Sequence, residues 1–97
     1  MNQTICEAIQ NMHLLSFNYK NHKRVVEPHT HGISTTGNEC MRCYQISGDS
    51  SSGKVPGWKM MTIDKITDLS LSQVKFSEPR PKYKKGDKHM TTIFCEL

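Results

Sequence analysis

The stretch PGWKMMTIDKI, residues 56–66, constrains the architecture of this chain most strongly. A Pro-Gly turn signal opens it, and the only tryptophan, Trp58, follows at once. Its apolar positions include Met61, Ile63 and Ile66, and its other positions include Lys59, Thr62 and Lys65. Apolar residues inward and cations outward predict a strand over residues 59–66, in a small β-barrel that offers its outer surface to an anion.

Signals on both sides of this stretch predict one helix and several more strands. Thr4 and Glu7 fit a capping box, and apolar residues at helical spacing follow, which predicts a helix over residues 4–12. Alternation, extended runs and turn residues predict further strands at 15–20, 24–27, 40–47 and 69–71, and a last apolar run predicts one within 90–97. Pro28 cannot donate to a ladder, so it marks a bulge, an edge or a strand end. The fold class is therefore mainly β with one N-terminal helix, a small antiparallel barrel over residues 14–72.

Length and composition favour one domain spanning residues 1–97, with a basic C-terminal extension at 73–97. The formal charge of +4 and the pI near 9.0 favour polyanionic partners, although ordinary solubility explains the same excess. No apolar run reaches membrane-spanning length, and the first residues do not form a secretory signal. We therefore expect a cytoplasmic protein without a membrane partner.

The four cysteines, Cys6, Cys40, Cys43 and Cys95, are expected to be reduced thiols rather than disulfides. Zinc bound by Cys40 and Cys43 with the nearby histidines is disfavoured, because residues i and i+3 of a strand point to opposite faces. We expect Cys43 in the core, Cys40 half-exposed, and neither a metal nor a cofactor. Since no Ser-His-Asp set, glycine-rich phosphate loop or hydrolase motif is present, we also expect no catalytic residues and no enzymatic activity.

Several motifs occur in a characteristic order between residues 5 and 76. Glu27-Pro28-His29-Thr30-His31-Gly32 and Gly57-Trp58-Lys59 follow Phe17-x-Tyr19 and precede Phe76. This order resembles the WYL domain family, especially its small stand-alone bacterial members, although Glu39-Cys40-Met41 stands where the family has the Trp-Tyr-Leu triplet. The resemblance implies an Sm-like five-stranded barrel. It also implies a ligand sensor for nucleotides or nucleic acid, as in bacterial transcription regulators that carry this domain.

The candidate ligand surface combines cations with an aromatic ring. Arg42 and Tyr44 share one strand face, and we expect Lys59 and Lys65 beside them on the fourth strand. A guanidinium, ammonium groups and a phenol ring suit a phosphate with a stacked base. The alternative is that Tyr44 packs inside the barrel while the cations are solvated.

Four further residues are assigned to the same surface. Arg24 and Lys85 would add electrostatic attraction. His29 and His31 are two residues apart, so we expect them on one side of an extended segment. There they would bind phosphate when protonated, or stabilise the bend after Pro28. Lys82, Lys84, Lys85 and Lys88 surround Tyr83, and form either a solvated tail or an arm that closes on a nucleic-acid backbone.

These features predict a non-enzymatic ligand-sensing or regulatory module that binds a nucleotide or a single-stranded nucleic acid. The alternative is a protein-interaction module that forms a homo-oligomer or docks as an accessory subunit through its helix and sheet edges. Exposure of both Met60 and Ile46 would favour that alternative.

Overall fold

The computed structural model of the chain describes residues 2–48 and 54–97. Its elements are the helix α1 (Asn2–Asn11) and the strands β1 (His13–Tyr19), β2 (His22–Ser34), β3 (Glu39–Gly48), β4 (Gly57–Thr62), β5 (Ile66–Lys75) and β6 (Met90–Glu96), with a 3₁₀ turn at Ile63–Lys65. The prediction of a mainly β fold with one N-terminal helix is confirmed. No helix in these two ranges is long and apolar enough to cross a membrane.

The strands form one antiparallel sheet in the order β4-β3-β2-β1-β5, and β6 also pairs with β2. The long central strand β2 pairs with β1 over residues 22–26 and with β6 over residues 30–34. The strands β4 and β5 end the path, and within the described ranges no ladder joins them. The sheet is therefore not closed, and the predicted closed barrel is not confirmed.

The helix α1 packs its apolar stripe on the sheet. Ile5, Ala8 and Ile9 are completely buried and join the core formed by β1, β2, β3 and β4. The helix starts at Asn2, two residues before the predicted cap. Thr4 therefore lies inside its first turn and does not cap it.

The hairpin between β1 and β2 turns at Lys20 and Asn21, so Lys20 belongs to the turn and not to the strand predicted over residues 15–20. Both have positive φ, 52° and 64°. This is the backbone conformation of two-residue hairpin turns, whose twist matches the twist of the strands that they join. The strand β2 then continues through Pro28 to Ser34. At Gly32 a Cβ atom would overlap the carbonyl oxygen of Thr92, so glycine permits the close approach of β6.

A β-bulge at His29 interrupts the register between β2 and β3. Pro28 lies opposite Cys43 and Thr30 lies opposite Arg42, so His29 is the extra residue. Pro28 thus marks a bulge, one of its predicted roles. Because one extra residue reverses the alternation, His29 and His31 face opposite sides of the sheet. The expectation that the two histidines share one side was wrong for this reason.

The predicted bounds of the fourth and fifth strands need correction. β4 stops at Thr62, so Lys65 lies in the exposed part of the 3₁₀ turn and not on a strand. The fifth strand is longer than predicted: it runs from Ile66 to Lys75, and pairs with β1 at both ends of this range are kept despite two register shifts. The predicted last strand within residues 90–97 is confirmed as β6.

Cys6 and Cys95 form a disulfide, against the expectation of four reduced thiols. The two residues are 89 positions apart, but packing of α1 against β6 brings their Cα atoms to 5.7 Å. Cys40 and Cys43 are free thiols on opposite faces of β3, as predicted. Cys40 is only 2% exposed, so its predicted half-exposure was wrong. Burial raises the pKa of Cys40, and it raises the pKa of Cys43 to about 12, so both remain thiols at neutral pH.

Candidate functional site

The outer face of β2, β3 and β4, opposite the core, carries aromatic and charged side chains. Tyr44 lies directly opposite Trp58 on β4, and their rings meet edge to face with centroids 5.6 Å apart. Glu27 lies opposite Tyr44 on the other side, and Arg42 is the next outward residue of β3. Strict alternation with the core residues of β3 places these groups on one surface.

A segment that we call the strap, residues 76–89 between β5 and β6, lies across this outer face. Arg80 binds Glu27 through two hydrogen bonds, Nε to Oε1 at 2.6 Å and Nη2 to Oε2 at 2.9 Å. Its guanidinium also lies 4.6 Å from the centre of the Tyr44 ring, within the range of a cation–π contact. The indole Nε1 of Trp58 donates to the carbonyl oxygen of Pro81 at 3.1 Å. These contacts fix the first half of the strap to the sheet.

His29 holds the strap through a defined tautomer. Its Nδ1 lies 2.8 Å from the carbonyl oxygen of Glu27, so Nδ1 carries the proton. Its Nε2 lies 3.1 Å from the backbone N–H of Arg80 and must accept. Burial lowers the pKa of His29, and the nearby Arg80 charge acts in the same direction, against the Glu27 carbonyl and carboxylate. The imidazole is therefore neutral at pH 7, and the structure gives it the role of a strap anchor.

Three aromatic rings surround the His29 imidazole. The ring centroids of Trp58, Tyr83 and Phe76 lie 4.8, 5.3 and 5.5 Å from it. Because His29 is completely buried among them, a ligand could touch its ring only if the strap moved. The predicted direct contact of His29 with phosphate therefore has no geometric support.

The second half of the strap is held by an ion pair between Arg42 and Asp87. Arg42 Nε lies 2.8 Å from Asp87 Oδ2, and the two side chains are 23% and 10% exposed. Burial works to raise the pKa of Asp87, but the Arg42 hydrogen bond, a backbone N–H from His89 and the Arg42 charge outweigh it and hold that pKa below its usual value. Asp87 is therefore an ionised carboxylate at neutral pH, and its charge neutralises part of the field of Arg42.

A cleft of about 320 Å³ opens between the strap and the outer face. It is lined by Arg42, Trp58, Lys82, Tyr83, Lys84, Lys85, Gly86, Asp87, Lys88 and His89. Within the described parts of the chain, five cations and a single carboxylate line this cleft. The whole sequence has 13 Lys and Arg against 9 Asp and Glu, so removing the cleft residues leaves eight of each. The net positive charge of the chain is thus concentrated at this cleft.

The structure brings together only part of the predicted ligand surface. Arg42 and Lys85 line the cleft, and Tyr44 contacts its wall at Trp58. Lys65 lies elsewhere, in the 3₁₀ turn. His31 faces α1 and β6, where its Nδ1 lies 3.5 Å from Cys6 Sγ.

Lys59 and Arg24 belong to the inner side of the sheet. Lys59 pairs with Cys43 and shares a strand face with Met61, opposite the face of Arg42, so its expected place beside Arg42 was wrong. Burial, followed by the charges of Arg24 and Lys54, lowers the pKa of Lys59. Arg24 is 3% exposed and donates to Gln45 Oε1 and to the carbonyl oxygen of Tyr19, both at 3.3 Å. These two cations are placed to support the sheet and not to face the cleft.

Among the site residues that were not predicted as ligand contacts are Trp58, Arg80 and Asp87. Trp58 had a signal, since it is the only tryptophan and follows a turn. The lysines around Tyr83 were visible as a basic cluster. No local pattern indicates that Arg80 and Asp87 meet Glu27 and Arg42, because 53 and 45 residues separate the partners.

Comparison of the chain with protein-family models, with curated proteins and with solved structures finds no match. The resemblance to the WYL domain family therefore rests on the sequence motifs alone.

Proposed function

We propose that this protein is a non-enzymatic ligand-sensing module of the WYL type, which binds a nucleotide or a single-stranded nucleic acid in the cleft beneath the strap. The observation that carries the proposal is the concentration of the excess positive charge at one cleft with aromatic walls. Phosphates supply the complementary charge, and bases stack on aromatic rings with little regard to sequence.

Size and residue types support the same ligand class. A volume of about 320 Å³ falls within the range of small-ligand pockets. Lys82, Lys84, Lys85 and Lys88 are exposed, so their ammonium groups can follow a phosphate backbone. Trp58 and Tyr83 are half-buried and present their remaining ring surface to the cleft. The Tyr44 ring supports the Trp58 ring through their edge-to-face contact.

The architecture and location implied by the sequence belong to the same proposal. The five strands β1 to β5 are antiparallel neighbours, and three residues of 3₁₀ turn connect the two strands that end the path. This order and the short connection support an Sm-like barrel in which β4 and β5 approach each other. A cytoplasmic location would give the module access to nucleotides and nucleic acid.

A salt titration with a fluorescent single-stranded oligonucleotide tests the function. For single strands, log K changes with log salt by about −0.7 per phosphate contact. Lys84→Ala/Lys85→Ala should therefore weaken binding and reduce the slope by about 1.4 if both lysines make contacts. The matched control is Lys23→Ala/Lys75→Ala, which removes two exposed lysines outside the cleft. Equal effects of the two double variants, or no binding by the parent, would contradict the proposal.

The substitution Asp87→Asn tests the proposal in the opposite direction, because it should strengthen binding of the oligonucleotide. It removes the carboxylate from the cleft and frees Arg42, which adds one cation for a phosphate. One added contact should strengthen binding about fivefold at 0.1 M salt, since it contributes about 0.7 decade. Emission of Trp58, the only tryptophan, reports whether the ligand occupies the cleft. Weaker binding by a folded Asp87→Asn protein would argue for a ligand elsewhere.

Assembly into a homo-oligomer is a second candidate function. The strands β4 and β5 end the sheet path, and exposed strand edges can pair with another chain. Val74 on β5 is 60% exposed, whereas Met60 and Ile46 are both half-buried and do not meet the condition set from the sequence. Sedimentation over a range of protein concentrations tests this candidate. A stable oligomer that Val74→Lys dissociates would support it.

A further inference from the structure

A cluster of sulfur and nitrogen atoms lies beneath α1, on the opposite side of the sheet from the cleft. Cys6 comes from α1, His31 from β2 and Cys95 from β6. His31 Nδ1 lies 3.5 Å from Cys6 Sγ and 3.9 Å from Cys95 Sγ. His31 is completely buried and Cys95 is 9% exposed. Three separate elements thus converge on one point.

The orientation of the His31 ring is fixed by Glu39. Its Nε2 lies 2.7 Å from Glu39 Oε2, so Nε2–H donates to the carboxylate. In the neutral ring, Nδ1 is then an acceptor directed at the two sulfurs. Neither sulfur of a disulfide carries a proton, so among the described residues the disulfide form offers this lone pair no donor from the two atoms nearest to it. A buried acceptor without a donor is unfavourable.

The spacing of the three atoms fits a tetrahedral zinc ion. Zn–S bonds of about 2.3 Å and Zn–N bonds of about 2.05 Å, at the tetrahedral angle, place S and N about 3.5 Å apart and two sulfurs about 3.8 Å apart. The observed S···N distances of 3.5 and 3.9 Å are close to this value. Only the sulfur–sulfur distance must increase, by opening of the disulfide.

We propose that reduction of the Cys6–Cys95 disulfide creates a zinc site, with Cys6 Sγ, Cys95 Sγ and His31 Nδ1 as ligands. A dithiol reductant breaks the S–S bond, supplies two electrons and two protons, and leaves as its own disulfide. Binding of Zn²⁺ then displaces the two thiol protons to solvent. Three protein ligands leave a fourth position for water or another donor.

Glu39 is a positioning residue in this site. A carboxylate that accepts from the far nitrogen of a ligating histidine fixes its tautomer and orientation, and such partners contribute 10- to 100-fold in metal affinity. The free thiols of Cys40 and Cys43 do not form an equivalent site, because they lie on opposite faces of β3. In a reducing compartment the thiol pool would favour the metal form, and in an oxidising one the disulfide.

Metal titrations of the oxidised protein and the phosphine-reduced protein test the proposal. Reduced protein should bind one Zn²⁺ per chain by native mass spectrometry. It should also bind Co²⁺ with the thiolate-to-cobalt charge-transfer band and the visible bands of a tetrahedral site. The oxidised protein should show neither. Cys6→Ser and His31→Gln should lower the affinity at least 100-fold, and Glu39→Gln should lower it 10- to 100-fold.

Cys40→Ala/Cys43→Ala is the matched control, since it removes two thiols and spares the cluster. It should retain the affinity within about twofold. In the reduced parent, zinc should also protect Cys6 and Cys95 from alkylation, as read by peptide mass spectrometry, so the test does not depend on whether each variant folds. Absence of metal uptake by the reduced parent, equal uptake by the oxidised parent, or loss of uptake in the control would overturn the site. None of these outcomes bears on oligonucleotide binding in the cleft.

Discussion

His29 couples the sheet to the strap through a single protonation state. The neutral ring donates from Nδ1 to the Glu27 carbonyl and accepts at Nε2 from Arg80 N–H. If the ring took up a second proton, the resulting Nε2–H group would point at the backbone N–H of Arg80. The lowered pKa of His29 expresses the same preference, with burial as its main cause.

Acidification should therefore destabilise the protein through His29. Since its folded pKa lies below the unfolded value of about 6.5, the contribution to stability is complete above that pH and is lost as the pH falls toward the folded pKa. Below pH 6.5 the free energy of unfolding should fall by up to about 1.4 kcal/mol per pH unit more steeply in the parent than in His29→Gln. Urea unfolding at several pH values measures the difference. Parallel profiles would show that His29 titrates normally in the fold.

Among the elements of the fold, the strap is the one whose position depends most on a few side-chain contacts with the sheet. Glu27 is 5% exposed, and Arg80 satisfies both of its carboxylate oxygens. A buried carboxylate that loses the guanidinium bound to it keeps the cost of desolvation without the compensating charge. The bidentate pair therefore holds the strap against β2 more firmly than an exposed ion pair would.

Arg80→Ala should destabilise the protein by about 2–3 kcal/mol. Loss of a buried ion-pair partner costs about 3–5 kcal/mol, and 40% exposure of the Arg80 side chain reduces that cost. Lys82→Ala, two residues away and exposed, should change stability by less than about 0.5 kcal/mol. Denaturant unfolding measures both. Glu27→Gln removes the buried charge, so the double variant Glu27→Gln/Arg80→Ala should regain part of the stability that Arg80→Ala loses. A double variant that is less stable than Arg80→Ala by the full cost of Glu27→Gln would refute the explanation.

The strands show how far local patterns predict this site. Alternating residues located β1 and β3, each of which has one face on the core, and a last apolar run located β6. The same rule, applied strictly, places Lys59 with Met61 on the core side, since they are two residues apart. The bulge at His29 leaves no local signal, because one extra residue changes neither composition nor periodicity on either side. The bulge therefore puts on opposite faces of the sheet two histidines that were predicted to share one side.

At the scale of the whole molecule, the features that could not be predicted from the sequence are contacts between residues far apart in the chain. The composition predicted a cationic protein, the strand pattern predicted a mainly β fold, and the sequence showed the lysine cluster that lines the cleft. The two ion pairs between the strap and the sheet, and the disulfide between α1 and β6, join residues 45 to 89 positions apart. Such partners share no periodicity, so the two ion pairs and the disulfide appeared only in the folded chain.

The disulfide should contribute a large share of the stability. Closing a loop of this length, 89 residues, lowers the entropy of the unfolded chain by about 4–5 kcal/mol at 25 °C. Domains are stable by about 5–15 kcal/mol in total. Metal-free Cys6→Ala/Cys95→Ala should therefore unfold at much lower denaturant concentration than the oxidised parent. Cys40→Ala, which cuts no crosslink, is the control, and a similar midpoint for both variants would contradict this account.

The same crosslink changes how damage to the backbone would be seen. Every peptide bond between Cys6 and Cys95 lies inside one covalent ring. A protease that cuts once within this ring leaves two fragments still tethered, and they separate on a gel only after a reducing agent is added. Nicked and intact molecules would therefore migrate as one population without reductant, and digestion time courses should be run both with and without it.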